Sequence, residues 1–140
     1  MKFANILFFP GIIVFVTACS SGGVQAVDDP HIFNPADTTI PVVDIYTPSE
    51  NEVFSTGDTI RISGKVTDNS LYRGNIRITN DANGAVVKEQ LFEIHGFQVY
   101  NFYLEHKTIV LAVTNYTVTV QYQDHGFNTG TNAVKVRVNP

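Results

Sequence analysis

The groups of this 140-residue chain that could do chemistry are few: one cysteine, four histidines and thirteen carboxylates. A lone thiol excludes a disulfide framework and any zinc site built from several cysteines. The histidines His31, His95, His106 and His125 show no metal-ligand spacing and read as loop residues. There is no Gly-x-Ser-x-Gly elbow, and Glu89, Glu93 and Glu105 fall on charge-alternating stretches where a solvated face accounts for them. The expectation is therefore no enzyme and no cofactor. Hard oxygen donors are the remaining chemistry. Asp44, Asp68, Asn69, Asp124 and Asn128 sit at expected strand ends, and Asp68, Asp124 and Asn128 are the weak candidates for Ca²⁺ at one pole of a β domain. No single loop supplies several ligands, and Asp and Asn are the default turn formers, so turn chemistry rather than a metal is expected of them.

One stretch resists a purely structural reading. In Phe97-Gln98-Val99-Tyr100-Asn101-Phe102-Tyr103-Leu104 both alternating sets are apolar, so a strand here turns one row to the core and the other outward. Exposed apolar rows mark contact surfaces, and both sugar rings and partner side chains stack on aromatic rings. Phe97, Val99, Tyr100 and Tyr103 are the candidate binding face. Phe97 and Tyr103 point outward in one register, Tyr72 and Tyr100 in the other.

The cysteine is placed by its surroundings. Met1-Lys2 is a short positive start, Phe3 to Val16 is almost wholly apolar, and Thr17-Ala18 are small residues before Cys19. An apolar run of about 14 residues, interrupted by Pro10-Gly11, is short of the roughly 20 needed to span a bilayer. It reads as an export signal. Val16-Thr17-Ala18-Cys19 resembles the bacterial lipobox, which implies cleavage after residue 18 and a diacylglycerol on the Cys19 sulfur. Acyl chains contribute about 0.8 kcal/mol per buried methylene, so such an anchor needs no transmembrane helix. Residues 19–40 then form a tether, rich in Gly, Ser, Pro and Asp and without apolar period. Ile32 and Phe33 are the apolar pair in it that could dock.

From residue 41 the apolar period becomes two. Ile60, Ile62, Gly64 and Val66 alternate with Arg61, Ser63 and Lys65, and Ile76 and Ile78 with Asn75, Arg77 and Thr79. Asn83-Gly84 is hairpin chemistry that should fold Ala85–Ile94 back. Tyr116, Val118, Val120 and Tyr122 alternate with Thr and Gln, as Val134, Val136 and Val138 do with Lys135 and Arg137. The run Ile109-Val110-Leu111-Ala112-Val113 reads as fully buried. Seven to nine short strands with turns about every 10 residues predict an all-β fold, an immunoglobulin-like antiparallel β-sandwich over residues 41–139. A small closed barrel is the alternative. In such a sandwich Tyr116 would make the tyrosine corner, with Leu111 as its packing partner.

The net charge is 9 − 13 = −4 and the sequence pI about 5.4. With no basic cluster, nucleic acid is not an expected partner. Asp37-Thr-Thr-Ile-Pro41, Gly57-Asp58-Thr-Ile, Val66-Thr-Asp68-Asn69 and the Tyr116 strand leading to Asp124, Gly126 and Asn128 resemble the Ig-like and cadherin-like domains of bacterial surface lipoproteins. They are most similar to a single-domain lipoprotein family of Bacteroidetes. The resemblance implies fold and an outer-membrane, cell-envelope location, on the surface or the periplasmic side, and it carries no catalytic residues. Asp37-Thr38-Thr39 and Asp58-Thr59-Ile60 also resemble Bacteroidetes O-glycosylation acceptors. The expected function is a non-enzymatic lipoprotein, held to the membrane by its lipid, that binds a glycan or an envelope protein. A periplasm-facing assembly module docked on another envelope protein is the alternative.

Overall fold

Alternation sets the architecture. The structure, a computed structural model, describes residues 33–140; the signal segment, Cys19 and most of the tether lie outside the described residues. Eight strands follow one another: β1 (Val42–Thr47), β2 (Glu52–Ser55), β3 (Thr59–Thr67), β4 (Leu71–Asn80), β5 (Val86–Glu93), β6 (Val99–Lys107), β7 (Thr114–Asp124) and β8 (Thr129–Asn139). They form a three-stranded sheet, β1-β3-β6, facing a five-stranded sheet, β2-β8-β7-β4-β5. The protein is an immunoglobulin-like β-sandwich. Each strand with alternating sequence turns its apolar set inward: Ile60, Ile62 and Val66 of β3, Ile76 and Ile78 of β4, Val118, Val120 and Tyr122 of β7, and Val136 and Val138 of β8 are buried.

Two aromatic rings fill the centre, and two glycines make room for them. Gly64 lies opposite Phe102 in the β3–β6 pair, and Gly74 opposite Tyr122 in the β4–β7 pair. A Cβ on Gly64 would come within 2.4 Å of Phe102 Cζ, and one on Gly74 within 2.2 Å of Tyr122 Cε1. Each ring therefore covers a bare stretch of neighbouring backbone, and the two rings stack across the sandwich with centroids 5.9 Å apart.

One pair departs from the antiparallel expectation, since β2 runs parallel to β8. Pro48 has no N–H to continue a ladder, and the chain steps from one sheet to the other between β1 and β2 without reversing. Glu52 N to Ser49 O (3.1 Å) and Asn51 N to Lys135 O (2.7 Å) hold the step. The other correction concerns the run 109–113. It joins β6 to β7 at the surface; only Val110 is buried, and Leu111 is 98 % exposed. Leu111 is thus no packing partner for Tyr116, which is buried in the core on β7 opposite Asn80 and Val136.

The sandwich has two distinct ends. At the near end lie residues 33–37, the β3–β4 turn with Asp68 and Ser70, and the β7–β8 loop with Asp124 and Asn128. At the far end lie the β2–β3 turn at residues 56–58 and the 108–113 loop.

Candidate functional site

The far-end loop is held as a rigid display. Thr108 is fully buried; its N–H donates to Asp58 O (2.9 Å), its carbonyl accepts from Gly57 N (2.8 Å), and its hydroxyl lies 3.0–3.1 Å from the carbonyls of Asp58 and Ser55. Val110 N donates to Thr56 Oγ1 (3.0 Å), and Thr114 Oγ1 donates to Ala112 O (2.9 Å). With Thr108 and Val110 pinned inward, Ile109 (80 % exposed) and Leu111 must point out. With the backbone already held at Thr108 and Val110, a partner would have only the two side chains to order.

The expected aromatic face divides in two. β6 is an edge strand of its sheet, with Phe102 and Leu104 inward and Val99 and Tyr103 outward. Phe97, in the loop before β6, is also exposed. Tyr100 does not join them: it is half-buried on the inner side, with its ring 6.0 Å from Phe92 and 6.2 Å from Tyr122. The shared period of two requires this, because Tyr100 lies in phase with Phe102 and Leu104. The Tyr103 hydroxyl donates to Glu105 Oε1, which also accepts from Arg61 Nε (3.1 Å). That bond holds the Tyr103 phenol above its ordinary range and the Glu105 carboxyl below its own. Tyr72, the alternative in the other register, sits at the Leu71/Arg73 register shift and packs against His95 and His125.

A shallow groove of about 300 Å³ crosses the outer side of the five-stranded sheet, lined by Arg73, Asn75, Leu91, Glu93, Gln121 and Gln123. Its polar groups are partly engaged with each other and with Glu89, through Arg73 Nε to Gln123 Oε1 (2.9 Å) and Asn75 Nδ2 to Glu89 Oε1 (3.0 Å). Glu89 also pairs with Arg77 (2.7 Å) and Glu93 with His95 (3.1 Å), as surface carboxylates do.

The near end gathers acids. One carboxylate oxygen each from Asp37, Asp68 and Asp124 lie within 4.8 Å of one another. Asn128 donates from Nδ2 to Asp124 Oδ2 (2.8 Å) and to the Asp37 carbonyl (2.9 Å). Of the oxygen donors noted in the sequence, Asp68, Asp124 and Asn128 are thus brought together; Asp44 is not, pairing instead with Lys65 (3.7 Å) on the outer side of β1. Sequence reasoning misses Asp37, because its position in the tether and its Thr-Thr sequel suggest an acceptor for sugar. The signal that could have found it is shared with Asp68: an Asp two residues before a Thr or Ser, whose N–H takes up one carboxylate oxygen. Residues 33–37 dock here, with Phe33 stacked on Phe127 (4.7 Å) and Asn34 N donating to His125 O (2.9 Å). Thr38 and Thr39 remain exposed.

No protein-family model matches the sequence, and no curated protein does. Among solved structures, an engineered protein determined at 1.98 Å is 17 % identical over 76 % of this chain, with a TM-score of 0.51. The fibronectin(III)-like modules of Clostridium thermocellum CbhA are 17 % identical over 71 % of the chain (TM-score 0.45). The CARDB domain of a Pyrococcus furiosus protein, in complex with di-metal ions, is 14 % identical over 71 % (TM-score 0.41) and is matched over 94 % of its own length. The chain spans 21 % of the engineered protein and 47 % of the CbhA structure. At these identities the likeness is one of fold: a β-sandwich.

Proposed function

We propose that this chain is a non-enzymatic, lipid-anchored lipoprotein of the bacterial cell envelope whose Ig-like domain binds a protein partner at its far end. The observation that carries this reading is the 108–113 loop, which fixes Ile109 and Leu111 in water at the end opposite the one where residues 33–37 meet the sandwich. The export signal and Cys19 support the anchor. Aliphatic side chains offer a sugar neither a stacking plane nor a hydrogen bond, whereas a protein pocket recognises them by burial alone.

A photo-crosslinking residue at position 111, used in intact cells, is expected to give one discrete protein adduct that Ile109→Ser abolishes, while the same probe at exposed Thr131 gives none. Absence of an adduct at position 111, or identical adducts at both positions, would refute the reading. Protease treatment of intact cells, with Cys19→Ala as the unanchored control, then separates surface display from the alternative of a periplasmic assembly module.

The groove over Arg73, Asn75, Gln121 and Gln123 favours a second reading, glycan binding. Amide and guanidinium groups around one exposed aliphatic, Leu91, match the polar face of a sugar, and Phe97, Val99 and Tyr103 supply a separate apolar row. Loss of glycan retention in Gln121→Ala, with the position-111 crosslink intact, would favour it.

A further inference from the structure

We propose that Asp37, Asp68 and Asp124 form a Ca²⁺ site that fastens the segment before β1 to the near end of the sandwich. The three residues come from three different parts of the chain and are 9 %, 7 % and 0 % exposed. Local bonds account for one oxygen of Asp37 and of Asp68 and for both of Asp124: Asp37 Oδ1 accepts from Thr39 N (3.0 Å), Asp68 Oδ1 from Ser70 N (2.8 Å), and Asp124 Oδ1 and Oδ2 from Asn128 N and Nδ2 (2.8 Å each). These bonds fix the orientation of every carboxylate. Asp68 Oδ2 is left buried, beside the other two acids, with no hydrogen-bond partner.

An anionic oxygen in that position is costly unless a cation meets it. Its neighbours in the cluster, Asp37 and Asp124, are acids as well. No ion pair among the described residues reaches any of the three. Gly126 completes the arrangement: a Cβ there would lie 2.6 Å from Asp37 O and 3.0 Å from Asp37 Cβ, so only glycine admits Asp37 this close.

The donor set selects the ion. All donors are hard oxygens, with no thiolate or imidazole in the cluster, which disfavours zinc and copper. Oxygens on one Ca²⁺ at about 2.3–2.6 Å can be as much as about 5 Å apart, which accommodates the 4.8 Å spread. Mg²⁺, at about 2.0–2.1 Å, spans at most about 4.2 Å between its oxygens and gives up its waters reluctantly. Three protein carboxylates with water completing the shell suit the weaker extracellular class of site, with Kd about 10⁻⁴–10⁻³ M.

The test is calorimetry and thermal melting of the full-length, chelator-stripped chain in detergent, titrated with CaCl₂. One Ca²⁺ per chain is expected, with a Tm rise of about 5–10 °C at about 10 mM. Asp68→Asn should weaken binding at least tenfold. Asp37→Ala, which lies outside every strand and leaves the core intact, should do the same, and it should also make residues 33–40 protease-sensitive whether or not Ca²⁺ is present. Absence of both heat and Tm shift in the unmodified chain would overturn the proposal. So would wild-type affinity in the two variants, or an equal shift with MgCl₂.

Discussion

Replacing Tyr122 by Phe should stabilise the protein, against the usual direction for a core substitution. Tyr122 is fully buried beneath Phe102, Phe92 and Tyr100, and its ring covers Gly74, so the aromatic body is what the core needs. Its hydroxyl is buried with no hydrogen-bond partner. Burial holds this phenol well above its ordinary ionisation range, with Tyr100 adding to the effect. A hydroxyl that gives up water and gains no partner costs about 1–3 kcal/mol, and Tyr122→Phe removes that cost while keeping every ring contact. The expected gain is about 1–2 kcal/mol, or about 5–10 °C in Tm for a domain of this size. Urea unfolding measures it, read as a higher midpoint with unchanged slope. A loss of about 1 kcal/mol or more would mean that a buried water or a carbonyl receives the hydroxyl, and the reasoning would be wrong. Tyr122→Leu serves as the companion variant: losing the ring should cost about 2–4 kcal/mol, which separates the contribution of the ring from that of the oxygen.

Gly64→Ala and Gly74→Ala should each destabilise by about 3 kcal/mol or more, because the new methyl meets backbone or an immobilised ring; near-wild-type urea midpoints would refute this. Leu111→Ser should leave stability within about 0.5 kcal/mol, whereas Thr108→Val should cost about 1 kcal/mol by removing the hydroxyl bond to the Ser55 and Asp58 carbonyls, which keep their backbone donors; equal effects in thermal melts would contradict the display role of the loop. Desolvation, with Lys88 nearby, lowers the His106 pKa from its ordinary 6.5. The unfolded chain then binds the proton more readily, so stability is full above 6.5 and falls as pH drops toward the folded value; His106→Gln should flatten that limb in pH-dependent melts, and an unchanged limb would rule it out.

The strands are legible because burial on one side leaves a period of two that survives in the sequence. Ile60, Ile62, Val66, Ile76, Ile78, Val118, Val120, Val136 and Val138 face the core as the alternation requires. The same rule divides Phe97–Leu104, once Phe102 and Leu104 are inside. It has no purchase on Ile109–Val113, where five apolar residues in succession suit a buried strand as well as an exposed loop. What decides there is Val110 N bonding to Thr56 Oγ1 and Thr108 bonding across to residues 55–58, contacts 50 or more positions away in the chain. The acid cluster is hidden for the same reason. Asp68 and Asp124 each look like a turn residue, and each makes its turn bond; that their carboxylates also meet is a non-local fact, with Asp37 arriving from a segment whose composition reads as tether.

On the reading proposed above, these two non-local features divide the work between the ends of the molecule. The sides of the sandwich carry paired charges (Arg61 with Glu105, Lys65 with Asp44, Arg77 with Glu89), which contribute at most about 1 kcal/mol each, beside exposed apolar residues such as Leu91, Val99 and Tyr103. A contact gains most where the apolar area buried is large and the backbone is already held. The far-end loop meets both conditions, because Thr108 and Val110 are ordered by the fold itself and Ile109 and Leu111 are left in water. At the near end, Phe33 on Phe127, Asn34 on His125 and Asp37 among the acids fix the direction in which the chain leaves the domain. A cation there would stiffen that exit and so hold the loop at a defined height above the point of attachment. Removing Ca²⁺ should therefore leave the affinity of the isolated domain for its partner unchanged while reducing capture by the anchored protein. Equal losses in the two formats would show instead that the near end acts through the fold of the whole sandwich.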